Sequence, residues 1–392
     1  MASVCLGQTV PAPPAHVAPL HISRPADPLN AAAFEHFYNL EYGIAVQQFE
    51  QILQRHPEDP FAVNHLISAV LIRELYRMGA MNTGEYANNS FIGEAHRPAD
   101  PKVKERIKEL VQRAEGLEDQ ELKANPNDVE ALYARGVTRG QFAIYTALIE
   151  RAWFSALRNA VGARHDHERV LQLDPNYTDA KLVVGTHNYV MGSLPWSVKM
   201  AVALAGLSGN KEKGFKYLRQ AAAGHGETSV DAKIVLALFL RRERRYPEAL
   251  QIIRQLNDDY PKNLLFTLEQ GNLLRAEAHY PEAAEVYTKI WQAGKAGRYS
   301  NLHYEMAELS LGDMLRDQKK YAEAAAAYDQ INQVKNPDPE LLQKANLGAG
   351  EMHDILQQRD SALKSYQLVL ATNSTSAMAQ TARKCIQEPC RE

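Results

Sequence analysis

The chain has 392 residues, 45% of them hydrophobic and 23% charged, with a formal net charge of -3. That balance is ordinary for a folded polypeptide and supplies no basic face of the kind nucleic acid demands, so no nucleic-acid partner is expected. The three cysteines, Cys5, Cys385 and Cys390, are too few for a disulfide framework and form no CxxC. Zinc-ribbon and thioredoxin-like readings therefore fall away, while a Cys385–Cys390 bridge stays open.

Residues 1–30 read as a Pro/Ala-rich tail. Ala2-Ser3-Val4-Cys5-Leu6-Gly7-Gln8 is small and apolar, and breaks into Thr9-Val10-Pro11-Ala12-Pro13-Pro14. It has the look of a secretory signal without its basic start, or of a flexible tail. Export to an envelope compartment is favoured over the cytoplasm. No stretch reaches the ~20 apolar residues of a membrane span.

A repeat dominates the rest of the chain. Tyr246-Pro247-Glu248-Ala249, Tyr280-Pro281-Glu282-Ala283, Tyr321-Ala322-Glu323-Ala324 and Asp360-Ser361-Ala362 open amphipathic helices in one register. The alanines are spaced by 34, 41 and 38 residues. Thirty-four residues is the period of tetratricopeptide helix pairs. Twelve residues before each alanine stands a small residue, Ala237, Gly271, Gly312 or Gly350, which lets two helices approach closely. Prolines at 57, 126, 175 and 261 punctuate helix ends. They locate weaker units: Ala45, Phe49 and Ile52 before Pro57; Gly136, Ala163 and Val170 before Pro175; then Gly185 with Gly214, Leu218 and Ala221.

These spacings predict an all-α, right-handed superhelical solenoid of about eight helix pairs with inter-helix insertions. Residues 31–226 form a divergent half, 227–392 a regular array, and Ser376–Ile386 a closing helix. Insertions are expected at Gly79–Pro101, around Glu150–Ala160 with Trp153 and Phe154, and at Gly192–Gly209.

The third insertion carries a resemblance. Gly192-Ser193-Leu194-Pro195-Trp196, then Ala205-Gly206-Leu207-Ser208-Gly209-Asn210-Lys211-Glu212-Lys213-Gly214, is similar to the segment linking repeats in the tetratricopeptide-39 group. The layout also resembles envelope tetratricopeptide proteins of soil bacteria. The resemblance spans Asn30 to Gln387, with only this segment specific, and here Leu207 replaces an aromatic residue and Asn210 an acid. It implies a helical-repeat scaffold, associated with a membrane and without catalysis.

Catalytic motifs are wanting. Gly209–Lys216 lacks the Lys-Ser/Thr pair that phosphate and magnesium need. His165-Asp166-His167-Glu168 places no two ligands at i,i+4, so a solvated helix face with His167 partly packed is expected. No Gly-x-Ser-x-Gly or HExxH occurs. No catalytic residue, metal site or cofactor is expected.

The concave face is the expected binding surface for a protein or peptide. Counting from the small residue of each pair, it comprises Tyr133, Val137, Leu182, Thr186, Tyr189, Ile234, Leu238, Leu268, Asn272, Arg275, Asp313, Arg316 and Glu351. Asp313 and Glu351 would repel an acidic C-terminal peptide, so a chaperone-type clamp is not expected. The alternative function is that of a peripheral membrane or lipid-handling protein, with Trp196, Met200 and Leu204 meeting the membrane or a partner.

Overall fold

The computed structural model describes residues 24–81, 97–196, 199, 208–299 and 302–391. Among these residues there are seventeen α-helices and no strands. Sixteen helices form eight antiparallel pairs: α1 (Asn30–Tyr38) with α2 (Tyr42–Arg55), α3 (Pro60–Met78) with α4 (Pro101–Ala124), α5 (Val129–Leu148) with α6 (Trp153–Leu173), and α7 (Ala180–Ser193) with α8 (Lys211–Ala222). The array continues with α9 (Ser229–Arg242) and α10 (Tyr246–Asp259), α11 (Leu264–Ala276) and α12 (Tyr280–Lys295), α13 (Glu305–Asp317) and α14 (Tyr321–Gln330), α15 (Pro339–Ile355) and α16 (Arg359–Thr372). Helix α17 (Ala377–Gln387) closes it, capped by the Ser376 hydroxyl. A disulfide joins Cys385 to Cys390 at its end.

Each helix packs on the next, and first helices of several neighbouring pairs also touch, which gives a superhelical stack with an inner layer of first helices. The contact within a pair is a ring against a missing side chain. A Cβ on Gly271 would lie 2.6 Å from Cε1 of Tyr287, and one on Gly312 would lie 2.5 Å from Cε1 of Tyr328. Gly350 meets Tyr366 in the same way. Each phenol then donates back to the first helix: Tyr287 to Asn272 at 2.9 Å, Tyr328 to Asp313 at 2.6 Å and Tyr366 to Asp354 at 2.9 Å. Where the small residue is Ala237, the tyrosine position holds Ile253 instead.

The turns repeat as faithfully as the helices. Leu40, Arg151, Arg244, Ala278, Lys319 and Gln357 all adopt φ between 53° and 63°, each two residues before a second helix begins. A left-handed residue ends the first helix and satisfies its last carbonyls, as the Arg245 N–H to Leu240 carbonyl bond of 2.8 Å illustrates. First helices start on side-chain caps: Asp59, Asp128, Asn263 and Asp338 each accept from backbone N–H groups of the first turn.

Residues 150–160 are not an insertion. The chain turns at 149–152 and enters the 21-residue helix α6 directly at Trp153. Its exposed aromatics obscure the helical pattern that buried residues elsewhere reveal.

The array also returns to its own beginning. Asn263 donates from Nδ2 to the Tyr38 carbonyl at 2.6 Å, and the Lys262 N–H donates to Asn39 Oδ1 at 3.1 Å. Lys262 pairs with Glu41 at 2.9 Å, Tyr38 packs on Tyr260, and Tyr76 lies over His303. Arg97 pairs with Asp338. The first two pairs thus lie along the loops that join the later pairs, and Tyr38, Leu40 and Tyr42 share one core with Leu264 and Tyr287.

Gly312→Val would force a branched side chain into the Tyr328 ring. It is expected to lower unfolding free energy by about 1–3 kcal/mol, more than the few tenths gained in helix propensity. Gly116→Ala, at a position with nothing within 4 Å, should instead stabilise by about 1 kcal/mol. Chemical denaturation of the two variants measures both signs.

Candidate binding surface

The inner helices distribute the expected groove residues into two kinds. One kind is apolar or aromatic and packs on the core. Tyr133 is buried, stacked on Phe61 at 5.9 Å and edge-on to His167 at 5.2 Å. Tyr189 is buried, stacked on Phe239 at 3.8 Å, and donates to Glu243 at 3.0 Å. Leu268 is buried, while Leu182, Ile234 and Leu238 are half-buried against the same core. Val137 packs on the cluster around Leu132, and Thr186 is half-buried.

The C-terminal residues form two rows, one member per repeat. One step after each small residue stand Leu238, Asn272, Asp313 and Glu351; four steps after it stand Arg241, Arg275, Arg316 and Asp354. The arginines are paired: Arg241 with Glu269 at 2.6 Å, Arg275 with Asp317, and Arg316 with Asp313 at 3.4 Å. Burial raises the Glu351 carboxyl, Arg316 opposing. Asn272 and Asp313 are fixed by the tyrosine hydroxyls beneath them. Met200 and Leu204 lie outside the described residues. Trp196 is 77% exposed.

A second polar assembly gathers the starts of α3, α5, α7 and α9. Arg24 reaches Glu130 and the Tyr177 hydroxyl, its guanidinium 5.4 Å from the rings of both Phe61 and Tyr177. Its backbone N–H donates to Glu227 at 2.5 Å. Glu227 also meets His65 at 3.3 Å, and Asp179 accepts from the Thr228 hydroxyl at 2.9 Å. Burial raises the Asp231 carboxyl to about 6, a bond from Tyr38 opposing and the charges of Asp179 and Glu227 adding. Burial likewise raises Asp179. Beside this assembly opens a cleft of about 450 Å³ whose wall includes Glu58, Asp59, Phe61, Glu121 and Glu130. Its carboxylates favour cations. Sequence reasoning misses this assembly, because its members are contributed one to three at a time by five segments.

Two motifs resolve into packing. His167 is fully buried in the space that Gly136 leaves, bonded through Nδ1 to the Ala163 carbonyl at 2.7 Å, and burial lowers its pKa to about 4. Asp166 is buried too, gripped by Arg135 and Arg139 at 2.6 Å each. The expected solvated face is therefore corrected: the α5 glycine and arginines draw this side of α6 inward. In Gly209–Lys216, Asn210 caps α8, and a Cβ on Gly214 would lie 2.7 Å from the Tyr189 nitrogen. Those glycines let α7 and α8 cross closely. Among the described residues, no group of three His, Cys, Asp or Glu side chains could hold a metal.

Eight hairpins, three of them locked by a glycine-against-tyrosine contact and all stacked in a superhelix, settle the architecture. The protein is a tetratricopeptide-type repeat solenoid. No family model matches the chain, and no curated protein matches it. Among solved structures it is similar to Pseudomonas aeruginosa PilF, at 17% identity over 64% of this chain and 97% of that one, with a TM-score of 0.37. It is also similar to a human IFIT1 dimer with PPP-AAAA, at 14% identity over 92% and 86%, with a TM-score of 0.40. A TPR repeat-containing protein of Cytophaga hutchinsonii gives 12% identity over 90% and 98%, with a TM-score of 0.32.

The Asp231 carboxyl gives a pH test. Its folded pKa is raised above the unfolded value, so the stability it contributes is present below about pH 4 and lost as pH rises through about 6. Asp231→Asn is expected to stabilise the solenoid by about 1–3 kcal/mol at about pH 8 and to change little at about pH 4. Urea midpoints at the two pH values read the difference.

Proposed function

We propose that this solenoid is a non-catalytic scaffold that binds a protein segment along its inner helices. The observation that carries the reading is the way the chain holds its own N-terminal stretch. Residues 24–41 are held partly through main-chain atoms, the Arg24 N–H on Glu227 and the Tyr38 carbonyl on Asn263, while the Asn39 and Glu41 side chains meet Lys262. A surface that grips backbone groups can accept a segment of many sequences, with pockets for side chains adding selectivity. The two rows on the inner face supply such selectivity at one position per repeat. In this reading residues 227–392 present the regular binding face, and residues 31–226 are the divergent half that supports it. Binding draws on Leu238, Asn272, Arg275 and Arg316, which are half-buried and so remain within reach of a ligand. The buried Tyr133, Tyr189 and Leu268 hold the helices that present them.

A photo-crosslinking residue installed at Leu238 is expected to capture a polypeptide partner from native extract. The same residue at Gln251, exposed on the second helix of that pair, should not. Equal capture at both positions, or none at Leu238, would count against the inner face.

A further inference from the structure

Six of the nine exposed large hydrophobic side chains among the described residues lie at the shared tip of α5, α6 and α7, on one edge of the solenoid. They are Ile144, Trp153, Phe154, Leu157, Val190 and Trp196; Ile44, Tyr280 and Leu368 are scattered elsewhere. Phe154 is 93% exposed and Trp196 77%. The helix register explains the gathering. A Cβ on Gly140 would meet Ala163 Cβ at 4.0 Å, and Arg164 meets His187 at 3.1 Å, so α5, α6 and α7 run alternately up and down. The end of α5, the start of α6 and the end of α7 therefore share one tip. Gly209 lies beside the end of α7, where a Cβ on it would lie 2.5 Å from Met191 Cβ.

We propose that this tip docks on the surface of an anionic lipid bilayer, with Trp153, Phe154, Leu157 and Trp196 entering the interface. Large aromatic side chains, tryptophan above all, favour the boundary between headgroups and acyl chains. Trp153 and Leu157 are four residues apart on α6, so they project from one helix face. Phe154 and Arg158 form a second such pair, which sets a cation beside the aromatic wedge. Across residues 150–160 and 190–199 the charges are one carboxylate, Glu150, against Arg151, Arg158 and Lys199. Glu150 is itself held by Lys104 at 3.1 Å and Lys108 at 3.3 Å. A chain of net charge -3 thus presents a locally positive rim around its most exposed aromatics. Each base near an anionic bilayer raises partition roughly fivefold.

The tip is formed by helix ends, and the cleft of about 450 Å³ lies elsewhere, around His56–Phe61. Projecting rings need a surface that yields to them, which a fluid interface provides without a matching pocket. No described helix is long and apolar enough to cross a membrane, so the contact is with one face of the bilayer. This inference is independent of the inner-face reading, since its residues lie on other surfaces.

The test is co-sedimentation with vesicles of equal parts phosphatidylcholine and phosphatidylglycerol, against vesicles of phosphatidylcholine alone. The wild-type protein should sediment with the anionic vesicles and be released by high salt. Its tryptophan emission should shift to the blue, because Trp153 and Trp196 are exposed whereas Trp291 is already buried. Phe154→Ser with Trp196→Ser should lower partition at least tenfold at an unchanged melting temperature, since both side chains contact little in the fold. The proposal is overturned if the wild type stays in solution with both vesicle types, or if the double variant partitions as the wild type does. It is equally overturned if the tip instead mediates self-association, seen as a dimer that the double variant abolishes without any vesicle binding.

Discussion

A tyrosine ring pressed against a glycine on the facing helix sets the geometry on which this solenoid depends. The glycine lets the two backbones approach, the ring fills the gap, and the phenol hydroxyl fixes the angle by bonding to Asn272, Asp313 or Asp354. Three consecutive pairs use the same device, so each adds a similar small rotation to the stack. The left-handed turn residue at the same place in six pairs repeats the exit direction as well. Uniform local geometry of this kind accumulates into a superhelix without long-range instruction.

That accumulation brings the loops before α9, α11, α13 and α15 back to the first two pairs. The contacts that close the array are mixed in kind: an amide on a carbonyl at Asn263 and Tyr38, an exposed ion pair at Lys262 and Glu41, and aromatic packing between Tyr38 and Tyr260. An exposed ion pair adds at most about 1 kcal/mol. Burial of Tyr38, Leu40 and Tyr42 in the shared core contributes more, at about 1.5–3 kcal/mol per large side chain. The closed edge also collects Asp179, Glu227 and Asp231, whose mutual repulsion works against it as pH rises.

Much of this is legible in the sequence because it is periodic. The glycines at 271, 312 and 350, the alanines twelve residues on, and the prolines after second helices report pair after pair. The turn conformation is not legible: Leu40, Arg151, Arg244, Ala278, Lys319 and Gln357 share no chemistry, only the left-handed conformation that the packed helices impose. The buried Asp166 and His167 look solvated in the sequence because their partners, Gly136, Arg135 and Arg139, belong to another helix. Trp153 and Phe154 look like part of an insertion because aromatic residues pointing to solvent break the amphipathic pattern of α6. The acidic assembly around Arg24 joins residues up to 203 positions apart, beyond the reach of any local pattern. Features of one repeat can be read from the chain; features made between distant repeats cannot.

Zero-length carbodiimide coupling tests the closed array most directly, because it joins only a carboxylate and an amine already in contact. Lys262 Nζ lies 2.9 Å from Glu41 Oε1, across 221 residues of sequence. Peptide mass spectrometry of the coupled native protein should find an amide between Glu41 and Lys262, absent when coupling is done in denaturant. If Lys262 couples only to acids near it in the chain, such as Asp258 or Asp259, the repeats do not return to their first unit.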